Sequence, residues 1–112
     1  MGRPGWEGDA LKELYQGDII KIKGLKSYFI IVSKNEFIKF TGCFHVCPIV
    51  NDCDPGPLHI AVKGQGGTIG TVICEQVKII DPSVRACSKK DRVSYDFIMD
   101  IADAIQGIFE YD

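Results

Sequence analysis

The stretch from Gly70 to Asp81, GTVICEQVKIID, sets the tightest limit on the fold. It is dense in β-branched residues but interrupted at Cys74–Gln76, so it predicts one or two strands bent at that point. Tyr15–Ile22, YQGDIIKI, predicts another strand, and the segment after Val93 has helical periodicity. Short strands followed by one amphipathic helix, within 112 residues, narrow the fold to a small antiparallel barrel capped by a helix. A single domain over residues 1–112 can bury a real core without disulfides or metal.

Along the chain, Trp6–Gln16 predicts a short helical turn, capped by Asp9 and resting on Leu11, Leu14 and Tyr15, in an extension over residues 1–16. Asp18–Lys23 alternates, with Ile20 and Ile22 inward and Lys21 and Lys23 outward. Gly24–Lys26 is a tight connection. Ser27–Ser33 is nearly all apolar and predicts a strand buried on both faces. Lys34–Gly42 reads as a loop anchored by Phe37 and Phe40. In the next strand, Cys43–Val50, Phe44, Val46 and Val50 face one way and Cys43, His45, Cys47 and Ile49 the other; Pro48 marks an edge or a bulge. Asn51–Pro57 is a loop, and Leu58–Val62 alternates again. Asp81–Arg92 reads as irregular and basic. Ser94 then caps a helix over residues 94–109, with Val93 and Ile98 as a hydrophobic staple. Its apolar face carries Phe97, Ile101, Ala104, Ile105 and Ile108, joined by Ile98 and Phe109.

The formal net charge of −2 does not advertise a polyanion partner, but its distribution is uneven. Ile19–Val50 carries a net +4, and Val93–Asp112 a net −5. This pattern fits either a surface that steers a polyanion to one side or ordinary solvated charge. The longest apolar runs are too short to span a bilayer. The N-terminus has no apolar signal-peptide core, which predicts a cytoplasmic protein. The five cysteines are then expected as reduced thiols.

Several constellations invite chemistry. The Gly64–Gly67 turn lacks the Lys-Ser/Thr ending and following helix of a phosphate-binding loop, so it reads as a hairpin turn, although Lys63 and Gln65 could touch a phosphate. Cys43, His45, Cys47 and Cys53, with His59, suggest zinc. The strand positions are about 6.5–7 Å apart, too far for one tetrahedral ion, so no metal is expected. A cysteine nucleophile needs a base beside it; His45 and His59 could meet across paired strands, but nothing places either beside a thiol. Glu75 and Gln76, standing in an apolar strand, either line a groove or tie the barrel end to a loop.

In this order the segments resemble the PemK/MazF family of toxins, which cut RNA. Gly17-Asp18-Ile19-Ile20-Lys21-Ile22 is similar to the family's first strand, and Ser27–Val32 to its second, which begins with Arg-Pro. Pro48-Ile49-Val50-Asn51-Asp52 is similar to the end of its third, and Glu75-Gln76 to its acid-Gln pair. The resemblance covers about Tyr15–Phe109. It implies an SH3-like antiparallel barrel of five to six strands with a C-terminal helix, a homodimer, an antitoxin-like protein partner, no cofactor, and metal-free cleavage of single-stranded RNA. The family's Arg position holds Ser27, beside Lys26, and its Thr/Ser position holds Val50, beside Asn51 and Asp52. Lys26, Ser27, Asn51 and Asp52 are therefore the candidate catalytic residues. Lys23, His59, Lys63, Gln65, Glu75 and Gln76 are the candidate RNA contacts. The two departures predict weakened cleavage. The alternative is a non-catalytic module of the same fold that binds an antitoxin-like peptide or nucleic acid. A third class is an unrelated SH3-like interaction domain with a peptide groove built from Tyr28, Phe37, Phe40 and Phe44.

Overall fold

The computed structural model describes residues 14–109 and 111. The helical turn expected over Trp6–Gln16, with Asp9 and Leu11, lies outside them except for Leu14–Gln16, which are not helical. In chain order the elements are β1 (Asp18–Ile22), β2 (Tyr28–Ile31), α1 (Asn35–Thr41), β3 (Phe44–Val50), β4 (His59–Lys63), β5 (Ile69–Ile73), β6 (Lys78–Ile80), β7 (Cys87–Arg92) and α2 (Tyr95–Ile108). No helix among the described residues is long and apolar enough to cross a membrane.

The strands form one antiparallel sheet in the order β4-β5-β3-β2-β1-β7, with β6 also paired to β3. The architecture is mainly β with a C-terminal helix, as expected. Among the described residues the strand count is seven rather than five or six, and their ladder does not close on itself. The surplus strand is β7, in the segment read as irregular. Its Ser88, Lys89 and Lys90 are exposed, so it carries no apolar alternation, and its pairing with β1 alone makes it a strand.

The apolar alternation sorts side chains into two clusters. Ile19, Ile30, Cys47, Ile49, Val62 and Val72 pack with Val93, Ile98 and Ile101 under α2. Ile20, Ile22, Phe29, Ile31, Phe44, Val46 and Ile80 pack with Ile38 of α1 on the other side. β2 is thus buried on both faces, as its composition predicts, and so is β3. So is β1, which alternation had made half-buried. Ile108 and Phe109, expected on the core face of α2, are exposed.

Two local readings are corrected by geometry. Lys34–Gly42 is not a loop but contains α1, a helix ended by Gly42 at φ 75°. Only Ile38 of that helix is buried, so no periodicity announces it. Pro48 marks neither an edge nor a bulge. On one side β3 pairs with β6 through Phe44–Val46 and with β5 through Ile49–Val50. Pro48 falls in the gap between those partners, where a missing N–H does no harm to the ladder.

The Gly17-Asp18 pair is structural. Asp18 is fully buried, accepts the Tyr15 N–H at 2.8 Å, and pairs with Arg92 at 2.7 Å and Lys89 at 3.5 Å. It therefore fastens β1 to β7. Gly17, at φ 93°, lets the chain enter β1 below α2, where a Cβ would meet Ile98 at 3.2 Å.

Candidate functional site

A cleft of about 420 Å³ opens where three connections meet. The β1–β2 loop contributes Lys26 and Ser27, and the start of β2 contributes Tyr28. The end of β3 contributes Ile49, Val50 and Asn51, and the start of β5 contributes Thr68 and Ile69. The β2–β3 register sets Tyr28 opposite Ile49, which makes the first two walls adjacent. Among the described residues, Lys26 is the only charged one in this lining.

Lys21 fixes the loop that carries Lys26. Its ammonium donates to the carbonyls of Leu25 and Lys26, at 2.5 and 2.6 Å, and lies 5.9 Å from the Tyr28 ring centroid. Alternation placed Lys21 as a solvated outward charge; instead it braces one wall of the cleft. Lys21→Met removes two charge-assisted hydrogen bonds and is expected to cost ~1–2 kcal/mol. Urea denaturation measures the loss, and hydrogen exchange should quicken first across residues 24–27.

The opposite wall rests on Asp91. Its carboxylate accepts the backbone N–H groups of Gly66 at 2.7 Å, Thr68 at 3.0 Å and Arg92 at 2.7 Å. The Thr68 side-chain hydrogen bond, first, and these backbone bonds hold its carboxyl down at about 2, against the opposing effect of burial. The glycine-rich turn does cradle an anion, but that anion is the protein's own carboxylate. Gly64 is obligatory there, since a Cβ would lie 2.2 Å from Asp91 Oδ2. Gln65 N–H also donates to the Arg92 carbonyl at 2.7 Å, so this turn joins the β4–β5 end of the sheet to β7 where no ladder does.

The structure divides the remaining candidates. Asp52 is exposed, next in the chain to Asn51, and is not part of the lining. Lys63 ends β4 and Gln65 sits in the turn, both exposed. The backbone of Lys23 is tied towards β7, through Lys23 N–H to the Ala86 carbonyl at 2.9 Å. Gln76 is exposed after β5, its N–H donating to the Ile73 carbonyl at 3.2 Å. His59 and Glu75 do come together, at 3.2 Å, but neither lines the cleft.

His45 and His59 do not pair with each other. His45 bonds to the Ser33 hydroxyl at 2.8 Å and lies against Phe37, at 5.1 Å between centroids. His59 instead lies 3.3 Å from the Cys53 sulfur, a juxtaposition the sequence reading missed. Among the described residues, no group of three or more His, Cys, Asp or Glu side chains converges as metal ligands. Cys47 and Cys74 are core residues whose thiols are pushed up to about 12 and about 11, by burial above all. Of the four aromatics offered for a peptide groove, only Tyr28 lines the cleft; Phe44 is fully buried in the core.

Thr68 was also missed. It brings a hydroxyl-bearing residue to the lining at the start of β5, the strand paired with the Val50 end of β3. Its signal was faint, a single Thr after a glycine turn, because its position depends on Asp91, far along the chain.

No family model matches the chain, and no curated protein matches it. Solved structures do. A MazE–MazF complex from Deinococcus radiodurans matches at TM-score 0.75 and 14% identity, covering 88% of this chain and 97% of that one. An endoribonuclease from a mycobacterial species matches at TM-score 0.72 and 15% identity, covering 84% and 88%. A mycobacterial endoribonuclease in complex with its cognate antitoxin matches at TM-score 0.70 and 13% identity, covering 88% and 99%. The chain therefore has the fold of MazF-like toxins.

Proposed function

We propose that the protein is a toxin-like endoribonuclease that receives single-stranded RNA in the cleft between Lys26 and Thr68 and cleaves it without metal. The observation that carries this reading is the meeting of one cation, three polar side chains (Ser27, Asn51 and Thr68) and an exposed ring in a single cleft on a MazF-like fold. Attack of a ribose 2′-oxygen on phosphorus builds negative charge on the phosphorane oxygens. Lys26 offers a point charge to them, and the Ser27 hydroxyl and Asn51 amide offer hydrogen bonds. Tyr28 offers a face on which a base can stack. Asp52, beside Asn51, is the proposed acceptor of the 2′-proton. The P–O5′ bond breaks as the 2′-O–P bond forms, the 5′-oxygen takes a proton from water, and the products are a 2′,3′-cyclic phosphate and a 5′-hydroxyl. Lysine lacks the bidentate fork of arginine, and Val50 donates nothing, so the expected rate is low.

The test is labelled single-stranded RNA of varied sequence, with and without EDTA. Cleavage that survives EDTA and leaves a cyclic phosphate supports the reading. The second reading is a non-catalytic module that binds RNA or an antitoxin-like peptide in the same cleft. Val50 in the lining favours it, and bound but uncut RNA would select it.

An antitoxin-like protein is the proposed physiological partner, in a cytoplasmic setting, since two of the similar structures are toxin–antitoxin pairs. We also expect a two-fold homodimer. Exposed Ile69, Ile79 and Phe109 leave apolar surface to cover, and β4 and β7 leave open strand edges. Light scattering at tens of micromolar should give twice the chain mass; only monomer would contradict this.

A further inference from the structure

Outside the cleft, one cluster combines a nucleophile, an imidazole and a carboxylate from three chain segments. Cys53 lies in the β3–β4 loop, His59 begins β4, and Glu75 follows β5. The Cys53 sulfur is 3.3 Å from His59 Nδ1, and His59 Nε2 is 3.2 Å from Glu75 Oε2. Nδ1 also lies 2.8 Å from the Asp54 carbonyl oxygen. Each ring nitrogen thus faces an oxygen acceptor. A neutral imidazole has one N–H and can serve only one of them, so this geometry calls for the imidazolium. In agreement, the Asp54 carbonyl first, then Glu75, with the Asp54 charge adding, raise the pKa of His59 above its ordinary value. A cation held against a half-buried sulfur is the setting in which a thiol becomes a nucleophile.

We infer that Cys53 is a hydroperoxide-reacting thiol, with His59 as its proton donor and Glu75 as the residue that positions His59. The thiolate attacks one peroxide oxygen, the S–O bond forms and the O–O bond breaks. The departing oxygen takes the His59 proton and leaves as water from hydrogen peroxide, or as an alcohol from an organic hydroperoxide. Sulfur is oxidised by two electrons to the sulfenic acid, and the peroxide is reduced. This inference does not depend on RNA cleavage.

The other cysteines supply controls within the same chain. Cys43 is also half-buried but has no histidine bonded to its sulfur among the described contacts, and Cys47 and Cys74 are buried. The test treats the intact protein with limiting hydrogen peroxide at neutral pH, traps sulfenic acid with dimedone, and maps the label by mass spectrometry. Cys53 should be labelled at least ~10-fold faster than Cys43. His59→Gln should bring Cys53 down to the Cys43 rate. Glu75→Gln should slow it several-fold and move the falling limb of its pH profile to lower pH, which a merely structural contact would not do. Labelling of Cys47 or Cys74 reports an unfolded variant, in which case the wild-type rates alone decide. Equal rates at Cys53 and Cys43 in wild type, or an unchanged Cys53 rate in folded His59→Gln, would overturn the inference. An unmoved pH limb in Glu75→Gln would remove Glu75 from it.

Discussion

Lys26→Ala is expected to slow RNA cleavage by ~10²–10³-fold, the usual effect of removing one electrostatic contact to a developing oxyanion. The size follows from the make-up of the cleft. Among the described residues Lys26 is the only charged side chain in its lining, and the neighbouring Lys21 ammonium is already engaged by the Leu25 and Lys26 carbonyls. Ser27→Arg should act in the opposite direction. It would place a planar guanidinium at the next residue, able to bind two phosphate oxygens at once. The measurement is single-turnover cleavage of one labelled RNA by wild type and both variants, each checked for an unchanged fold by circular dichroism. Full activity in Lys26→Ala would put the chemistry elsewhere.

Asp91→Asn is expected to cost ~2 kcal/mol of folding stability at neutral pH, from a carboxyl held about two units below its ordinary value at ~1.36 kcal/mol per unit. An amide in its place can accept fewer of the three backbone N–H groups, and its own NH₂ would face at least one of them. The sign is fixed by the direction of the shift. A depressed carboxyl contributes fully above its ordinary value of 3.8 and loses that contribution as pH falls towards about 2. The gap between wild type and variant, measured by urea denaturation, should therefore be constant from pH 5 upward and close between roughly pH 4 and pH 2. A pH-independent gap would mean that Asp91 acts by shape and not by charge. Because Asp91 also holds Thr68, the same variant should loosen the cleft wall at residues 66–69.

Which parts of this were legible in the sequence follows from how each part is encoded. β1, β2, β3 and α2 were legible because burial on a regular element leaves a periodic trace. The run Tyr28-Phe29-Ile30-Ile31 could hardly be anything but a strand between two apolar layers. β7 left no such trace, since an edge strand of Ser, Lys and Lys is specified by its partner β1. α1 was hidden because it has only one buried side chain, Ile38, in two turns. The cleft was half legible. Lys26, Ser27 and Asn51 were reached by alignment of segments, because the ends of adjacent strands lie near each other. Thr68 and Lys21 were not, since their roles run through a carboxylate 23 residues away for one and two backbone carbonyls for the other. Cys53, His59 and Glu75 show the same limit, because their meeting depends on the β4–β5 pairing and on the conformation of the β3–β4 loop.

The central claim is that the cleft between Lys26 and Thr68 is where RNA sits. Photocrosslinking with single-stranded RNA carrying 4-thiouridine tests it without requiring that cleavage occur. Crosslinks are expected on Tyr28 and on peptides containing Ile49–Asn51 or Thr68–Ile69, and they should fade in Lys26→Ala. Crosslinks confined to the exposed lysines of β7, Lys89 and Lys90, with none in the cleft, would contradict the account.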